Sequence, residues 1–303
     1  MKILVTGAGV IGSHTARILH EKGHDVRLLD VAPNLTAVGS VIDLQEIEIL
    51  RADVTDSKTL QALLESNHIE RVVHTAALMT AACRADPRLG IHVNVHGTTN
   101  ILDCARRGLI DRVVLSSSNV VAAPTTSVYA LTKMLCEQVS NMYRSSYDVR
   151  AVSLRYGAVF GVWKGPATSL PARLIRLLVE AAVAQKPAVI SDPLLVWQGV
   201  DSFVDARDCA QANVAAVLAE NPITATYDVA PPEGLAFADI VAAVTRRYPG
   251  FEIDYRVKTE TGFAGYPVKH AVDVESEPAA RELGFRPQFS INATIDEAIK
   301  YIA

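Results

Sequence analysis

Residues 3–30 read ILVTGAGVIGSHTARILHEKGHDVRLLD, and successive parts of that stretch do different physical jobs. Ile3-Leu4-Val5 is a short apolar run of the kind that becomes a strand buried on both faces. Glycines at the GxGxxG spacing follow at Gly7, Gly9 and Gly12. They permit a tight turn, close approach of backbone to a pyrophosphate, and close contact of helix with strand. The pattern predicts a helix from Ser13 to Lys22, with Ile11, Ala16 and Leu19 inward and Gly23 as its stop. Free N–H groups and the positive end of the helix dipole would then meet phosphates, with Gly7, Gly9, Val10, Ile11 and Gly12 as the contacting residues. Val26–Asp30 reads as a second strand ending in a carboxylate. Asp30 stands 23 residues past Gly7, near the spacing at which an acid accepts the hydroxyls of an adenosine ribose. That carboxylate would repel a 2′-phosphate, and Val31-Ala32 brings no Arg to offset it, so NAD is expected rather than NADP.

The 303 residues suffice for one large α/β domain or for a cofactor domain with a smaller companion, and half of them are hydrophobic. Net charge is −4 and no basic run occurs, which argues against a nucleic-acid or anionic-membrane partner. No apolar stretch is long enough to span a bilayer. The N-terminal apolar run has the look of a secretory signal, but its glycines fit the loop better and no clear cleavage site follows. Cys83, Cys104, Cys136 and Cys209 lack CxxC spacing and read as buried thiols of a reducing, cytoplasmic compartment.

Strand-like runs recur after Asp30 at Ile47–Leu50, Arg71–His74, Arg112–Leu115, Ala151–Leu154 and Thr226–Val229. Amphipathic segments near 57–67, 94–107 and 129–146 separate most of them, which predicts a parallel, doubly wound, Rossmann-type sheet. Ligands of such sheets bind beyond the carboxyl ends of the strands. Asp53-Val54 follows the third strand and would meet an adenine edge, while Asp56 or Ser57 suits a helix N-cap. Ala76 and Ala77 follow the fourth strand, and their small size would let backbone pass close to a cofactor. Asn94 opens the next helix, and Ser116–Asn119 ends the fifth strand, where Ser118 would face a ligand. Tyr129 and Lys133 share one helix face at i and i+4, so the ammonium would favour the phenolate and lower the Tyr pKa from about 10. A phenol so placed can act as acid or base on a secondary alcohol or carbonyl. His92 and His96 have the spacing of a zinc pair but no third ligand nearby, so no metal is expected, and His14 and His74 read as core or loop residues. The helix Ser169–Lys186 and the stretch after 233 read as a smaller substrate-binding unit, about 166–189 plus 233–303. It would pack against a cofactor-binding unit of 1–165 plus about 190–232, with substrate in the cleft between them.

These residues resemble the extended short-chain dehydrogenase/reductases of the NAD-dependent epimerase/dehydratase family. The resemblance covers nearly the whole chain: the glycine loop, Asp30, Asp53-Val54, His74-Thr75-Ala76-Ala77, Asn94 with Gly97-Thr98, Ser118, Tyr129 with Lys133, Leu154-Arg155-Tyr156, Ser202–Asp205 with Asp208, and Glu282–Pro287. It implies that Tyr129 transfers the proton, Lys133 holds the nicotinamide ribose, and Ser118 hydrogen-bonds the substrate oxygen while hydride moves to or from the nicotinamide. Asn94 and Tyr156 would be cofactor neighbours, and the helices near 94–107 and 129–146 would pair in a homodimer. Several departures bear on substrate. The loop is TGxGxxG, one residue shorter than the family's TGxxGxxG. Asn119-Val120 replaces the Asp-Glu pair of the dehydratases, leaving no acid for water elimination. Gly157-Ala158 stands where the epimerases carry an Asn, Asp201 stands where they carry an Arg, and a second Arg expected between Gly262 and Val272 is absent. A diphosphate clamp is therefore missing unless Lys164, Arg173, Lys258 or Lys269 replaces it. The reading is an NAD-dependent enzyme acting at a secondary alcohol of a small sugar, sugar acid or polyol. A UDP-sugar 4-epimerase is the alternative. A non-catalytic NAD-binding regulator is disfavoured because Tyr129 and Lys133 are both present.

Overall fold

The apolar runs pair side by side in the computed structural model, which describes Met1–Ala303. The first half alternates strand and helix: β1 (Lys2–Thr6), α1 (Val10–Glu21), β2 (Asp25–Asp30), α2 (Leu35–Val38), β3 (Glu48–Arg51), α3 (Ser57–Ser66) and β4 (Arg71–His74). Two short helices, α4 (Thr80–Ala85) and α5 (Pro87–Ile91), lead through a π-helical turn at His92–His96 into α6 (Gly97–Arg106). β5 (Arg112–Ser118), α7 (Val128–Tyr147) and β6 (Ala151–Tyr156) follow. All sheet pairings are parallel, in the order β3-β2-β1-β4-β5-β6 with a last strand, Thr226–Val229, beside β6. The winding reverses between β1 and β4, and the crevice beyond their carboxyl ends is where such sheets take ligands.

Both faces of the sheet are covered, as continuous apolar strands require. Ile3, Val5, Val73 and Val114 point to one core with Ala16 and Leu19 of α1, whereas Leu4, Val72, Val113 and Leu115 point to another with Leu60, Ile101 and Tyr143. The period-2 alternation of side chains produces that division. The second half adds β7 (Ala158–Phe160), α8 (Leu170–Val183), β8 (Ala188–Ile190), β9 (Val200–Asp201), β10 (Phe203–Asp205), α9 (Ala206–Leu218) and β11 (Thr226–Val229). It ends with β12 (Leu235–Ala236), α10 (Phe237–Thr245), β13 (Ile253–Tyr255), α11 (Glu277–Leu283) and α12 (Ile291–Ile302). A third core joins α8, α10 and α12 through Leu174, Leu178, Ile240 and Ile295, with Trp197, Phe203, Phe237 and Phe263 in mutual ring contact. No helix is long and apolar enough to cross a membrane.

Two boundaries differ from expectation. Helix α1 starts at Val10, three residues before Ser13, so Val10, Ile11 and Gly12 form its first turn. Asn94 does not open a helix, because it lies within the π-helical turn of a helical run that begins at Pro87.

Candidate active site

The glycine loop takes its shape from what crowds it. Gly7 has φ +88°, and a Cβ there would lie 2.6 Å from the Ala76 nitrogen. A Cβ on Gly12 would lie 1.9 Å from the Gly7 carbonyl oxygen. The loop is thus wedged between α1 and the Thr75-Ala76-Ala77 segment, with the Thr75 hydroxyl donating to the Thr6 carbonyl at 2.7 Å. Gly9 is different: a Cβ there would meet no protein atom within 4 Å. Its backbone is exposed at the N-terminus of α1, where N–H groups suit a phosphate. Asp30 leans over the same loop, accepting from the Ala8 N–H at 2.8 Å and from the Ala32 N–H at 2.8 Å. Each carboxylate oxygen keeps a lone pair for a ribose hydroxyl.

Other expected contacts fall differently. Asp53 is exposed and folds onto Thr55, whose N–H and hydroxyl both donate to it at 2.8 Å. The Val54 side chain is buried against Gly97 and its carbonyl accepts from the Asn100 amide at 3.0 Å, so only its N–H is left for a ligand. Asn94, expected beside the cofactor, has a buried amide that is bonded within the protein, accepting from the Leu78 N–H at 2.7 Å and donating to the Leu78 carbonyl and the Thr132 hydroxyl, each at 3.0 Å. It ties the loop after β4 to α7. The buried hydroxyl of Tyr156, also expected near the cofactor, donates to Asn213 at 2.7 Å and lies 3.1 Å from the Ser116 hydroxyl. Asn213 in turn donates to Thr15 at 3.1 Å, so this network joins β5 and β6 to α9 and α1.

Ser127 caps α7, its hydroxyl accepting from the Ala130 N–H at 3.1 Å, and this places Tyr129 in the first helical turn. Lys133 lies one turn on, its ammonium donating to the Ser116 carbonyl at 2.7 Å and standing 5.7 Å from the Tyr129 ring centroid. The ammonium has two further N–H groups for a ligand. The Tyr129 hydroxyl makes no hydrogen bond inside the protein, and Ser118 has only contacts of 3.5 Å to Asn119 and the Val120 N–H. Neither hydroxyl is thus held by a short hydrogen bond within the protein. The expected lowering of the Tyr129 pKa is not the net result, since burial pushes the phenol well above its ordinary value. Burial also pulls the Lys133 ammonium below its ordinary value.

Glu137, one turn beyond Lys133, was not singled out from sequence. It is buried, accepts from Ser117 at 2.5 Å, and pairs with both ends of the Arg155 guanidinium at 2.9 and 2.7 Å. In the second half of the chain, Asp201 is buried and holds the Lys269 ammonium at 3.0 Å. Arg173 is likewise taken up by Asp192 at 3.1 Å. Tyr266 reaches across to Thr126, hydroxyl to hydroxyl at 3.3 Å. The strap after β7 crosses back to the cofactor side. Gly161 sits against Val10, and Gly165 against Ala37 and the Trp163 ring, while Arg176 donates to the Trp163 and Gly165 carbonyls at 2.8 and 2.7 Å. His92 and His96 stack, with ring centroids 5.2 Å apart.

Fold and site together define an α/β enzyme that uses NAD. A family-wide sequence model matches residues 3–230, and the chain belongs to the NAD-dependent epimerase/dehydratase family. It is similar to a UDP-glucose 4-epimerase of Corynebacterium glutamicum, at 28% identity over 98% of this chain and 94% of the relative. Among solved structures it superposes on an L-threonine dehydrogenase of Cupriavidus necator with TM-score 0.83 and 22% identity, over 99% of both chains. It also superposes on a UDP-glucose 4-epimerase of Bifidobacterium longum bound to NAD and UDP, with TM-score 0.79 and 22% identity, over 99% of this chain and 98% of that one. At that identity the two superpositions speak for the fold alone.

Proposed function

We propose that the chain transfers hydride between NAD and a secondary alcohol carbon of a small sugar, sugar acid or polyol. Tyr129 exchanges the proton, Ser118 holds the substrate oxygen, and Lys133 binds the nicotinamide ribose with its two spare N–H groups. Gly7, Gly9, Val10, Ile11 and Gly12 would hold the pyrophosphate, Asp30 the adenosine ribose, the backbone at Asp53-Val54 the adenine, and Ala76-Ala77 the far side of the cofactor. The bound dinucleotide supplies the hydride acceptor. The substrate class rests on one observation: at the position of a family Arg, buried Asp201 neutralises Lys269, so that pair offers a diphosphate no net positive charge. A second reading, UDP-sugar 4-epimerase, is favoured by the names of the curated relatives.

Incubation of pure protein and NAD with sugars, uronates, polyols, L-threonine, UDP-glucose and UDP-glucuronic acid separates the two. Net NADH absorbance with a small alcohol supports the first reading. Interconversion of a UDP-sugar without NADH release supports the second and removes the first. Four buried, unpaired cysteines fit a reducing cytoplasm. A homodimer through α6 and α7 fits the exposed Leu131 and Met142 on α7. Sedimentation of Met142→Asp as a monomer, against a wild-type dimer, is the check.

A further inference from the structure

Two consecutive residues of β5 bond to two successive turns of α7, and the residue after them ends the strand. The Ser116 carbonyl accepts from Lys133, the Ser117 hydroxyl donates to Glu137, and Ser118 carries the free hydroxyl of the site. Tyr129, Lys133 and Glu137 follow at i, i+4 and i+8, one stripe of the helix. Arg155, which pairs with Glu137 through two hydrogen bonds, is the register partner of Ser117 on β6. One carboxylate thus fastens the helix to two adjacent strands, one residue short of the row that holds Ser118.

We propose that Glu137 is a positioning residue of the hydride-transfer site: it sets Tyr129 and Lys133 against Ser118, and its negative charge faces the Lys133 ammonium. The proposal rests on the reading given above for Tyr129, Lys133 and Ser118. The groups facing Lys133 are the Cys136 thiol and Glu137 on α7, the Cys83 thiol on α4, His74 at the end of β4, and the Tyr129 ring, whose centroid lies 5.7 Å away. The thiols, the imidazole and the phenol are buried, and burial favours the neutral form of each. Glu137 is then the anion that offsets the burial of the ammonium. Bidentate pairing with Arg155 fixes where that charge sits.

The test has two arms. In the full-length protein, isotope-labelled lysine ε-carbons are titrated by NMR, with Lys133→Gln assigning the Lys133 signal. Glu137→Gln is expected to move deprotonation of Lys133 to lower pH by about one unit. An unmoved titration overturns the charge half of the proposal, and needs no substrate. In the second arm, kcat is measured with NAD and the panel compound that the wild type turns over. Glu137→Gln is expected to lower kcat by about 10²-fold, with KM for NAD rising by a smaller factor because Lys133 holds the nicotinamide ribose. Ser117→Ala, which keeps both charges and spares the Glu137–Arg155 pair, is expected to lower kcat by about tenfold and leave the Lys133 titration in place. It also covers the case in which Glu137→Gln fails to fold. A wild-type kcat in folded Ser117→Ala overturns the positioning half. Tyr129→Phe, run alongside, reports on the hydride-transfer reading itself: retained turnover there removes that reading whatever Glu137 does.

Discussion

Burial decides the titration of Tyr129. Its side chain is shut away from water, which raises the phenol pKa, and the neighbouring Cys83 and Cys136 thiols act in the same direction. For alcohol oxidation the phenolate is the working base, so kcat should climb with pH through the alkaline range, and ketone reduction should decline over the same range. A flat profile in both directions would remove Tyr129 as the proton carrier. Tyr129→Phe should lower kcat by about 10³-fold while NAD affinity stays within about twofold, measured by cofactor titration. The Tyr129–Lys133 pair was legible because helix periodicity alone brings i and i+4 together. Glu137 was not, because an acid one turn further on looks like surface decoration until the strand register supplies Ser117 and Arg155. Two imidazoles give a separate pH signature. His74 and His14 are buried and held neutral, with pKa values pulled from 6.5 down to about 3 and about 4. The unfolded chain binds their protons first, so the stability they contribute is present above pH 6.5 and is lost as pH falls toward about 4 and 3. A melting series should show Tm falling over that range, with a shallower slope in His14→Gln.

At the scale of elements, the start of α1 separates two kinds of glycine. Gly12→Ala drives a methyl into the Gly7 carbonyl, which backbone must move to relieve, so Tm and NAD affinity should fall together. Gly9→Ala meets no protein atom, so Tm should stay within a few degrees while NAD affinity drops at least tenfold. Equal losses in the two variants would show that Gly9 serves the fold rather than a ligand. The GxGxxG spacing made the turn readable, but it could not show that Val10 and Ile11 already belong to the helix. Asn94 marks a similar limit. The amphipathic pattern starts near 94, and nothing local announces that a π-helical turn carries the chain through from Pro87 to Arg106. Asn94→Ala should cost about 2 kcal/mol of stability, because the Leu78 N–H loses its buried acceptor, and chemical denaturation measures it.

Across the whole molecule, the sheet order follows from strands that alternate with helices, and each face of a buried strand found its own core. Less of the candidate site could be read, because its residues come from segments far apart in sequence. Lys269 looked available as a substitute cation until Asp201, 68 residues earlier, was seen to hold it. The short strands of the second half are two or three residues long and pair only with one another, too brief for periodicity to register.

The strap after β7 joins the two sides of this architecture. It rests on Val10 at the head of α1 and on Ala37 beyond the Asp30 strand, so a dinucleotide lying from the glycines to Asp30 has its flank walled by residues 161–165. An enzyme that exports reduced coenzyme on every cycle must then swing that wall aside each time, and the Trp163 ring, packed in it, becomes a built-in fluorescent gauge of coenzyme exchange. Stopped-flow emission that tracks NADH departure would reveal a door, and emission indifferent to it would reveal a fixed cell in which the coenzyme stays put.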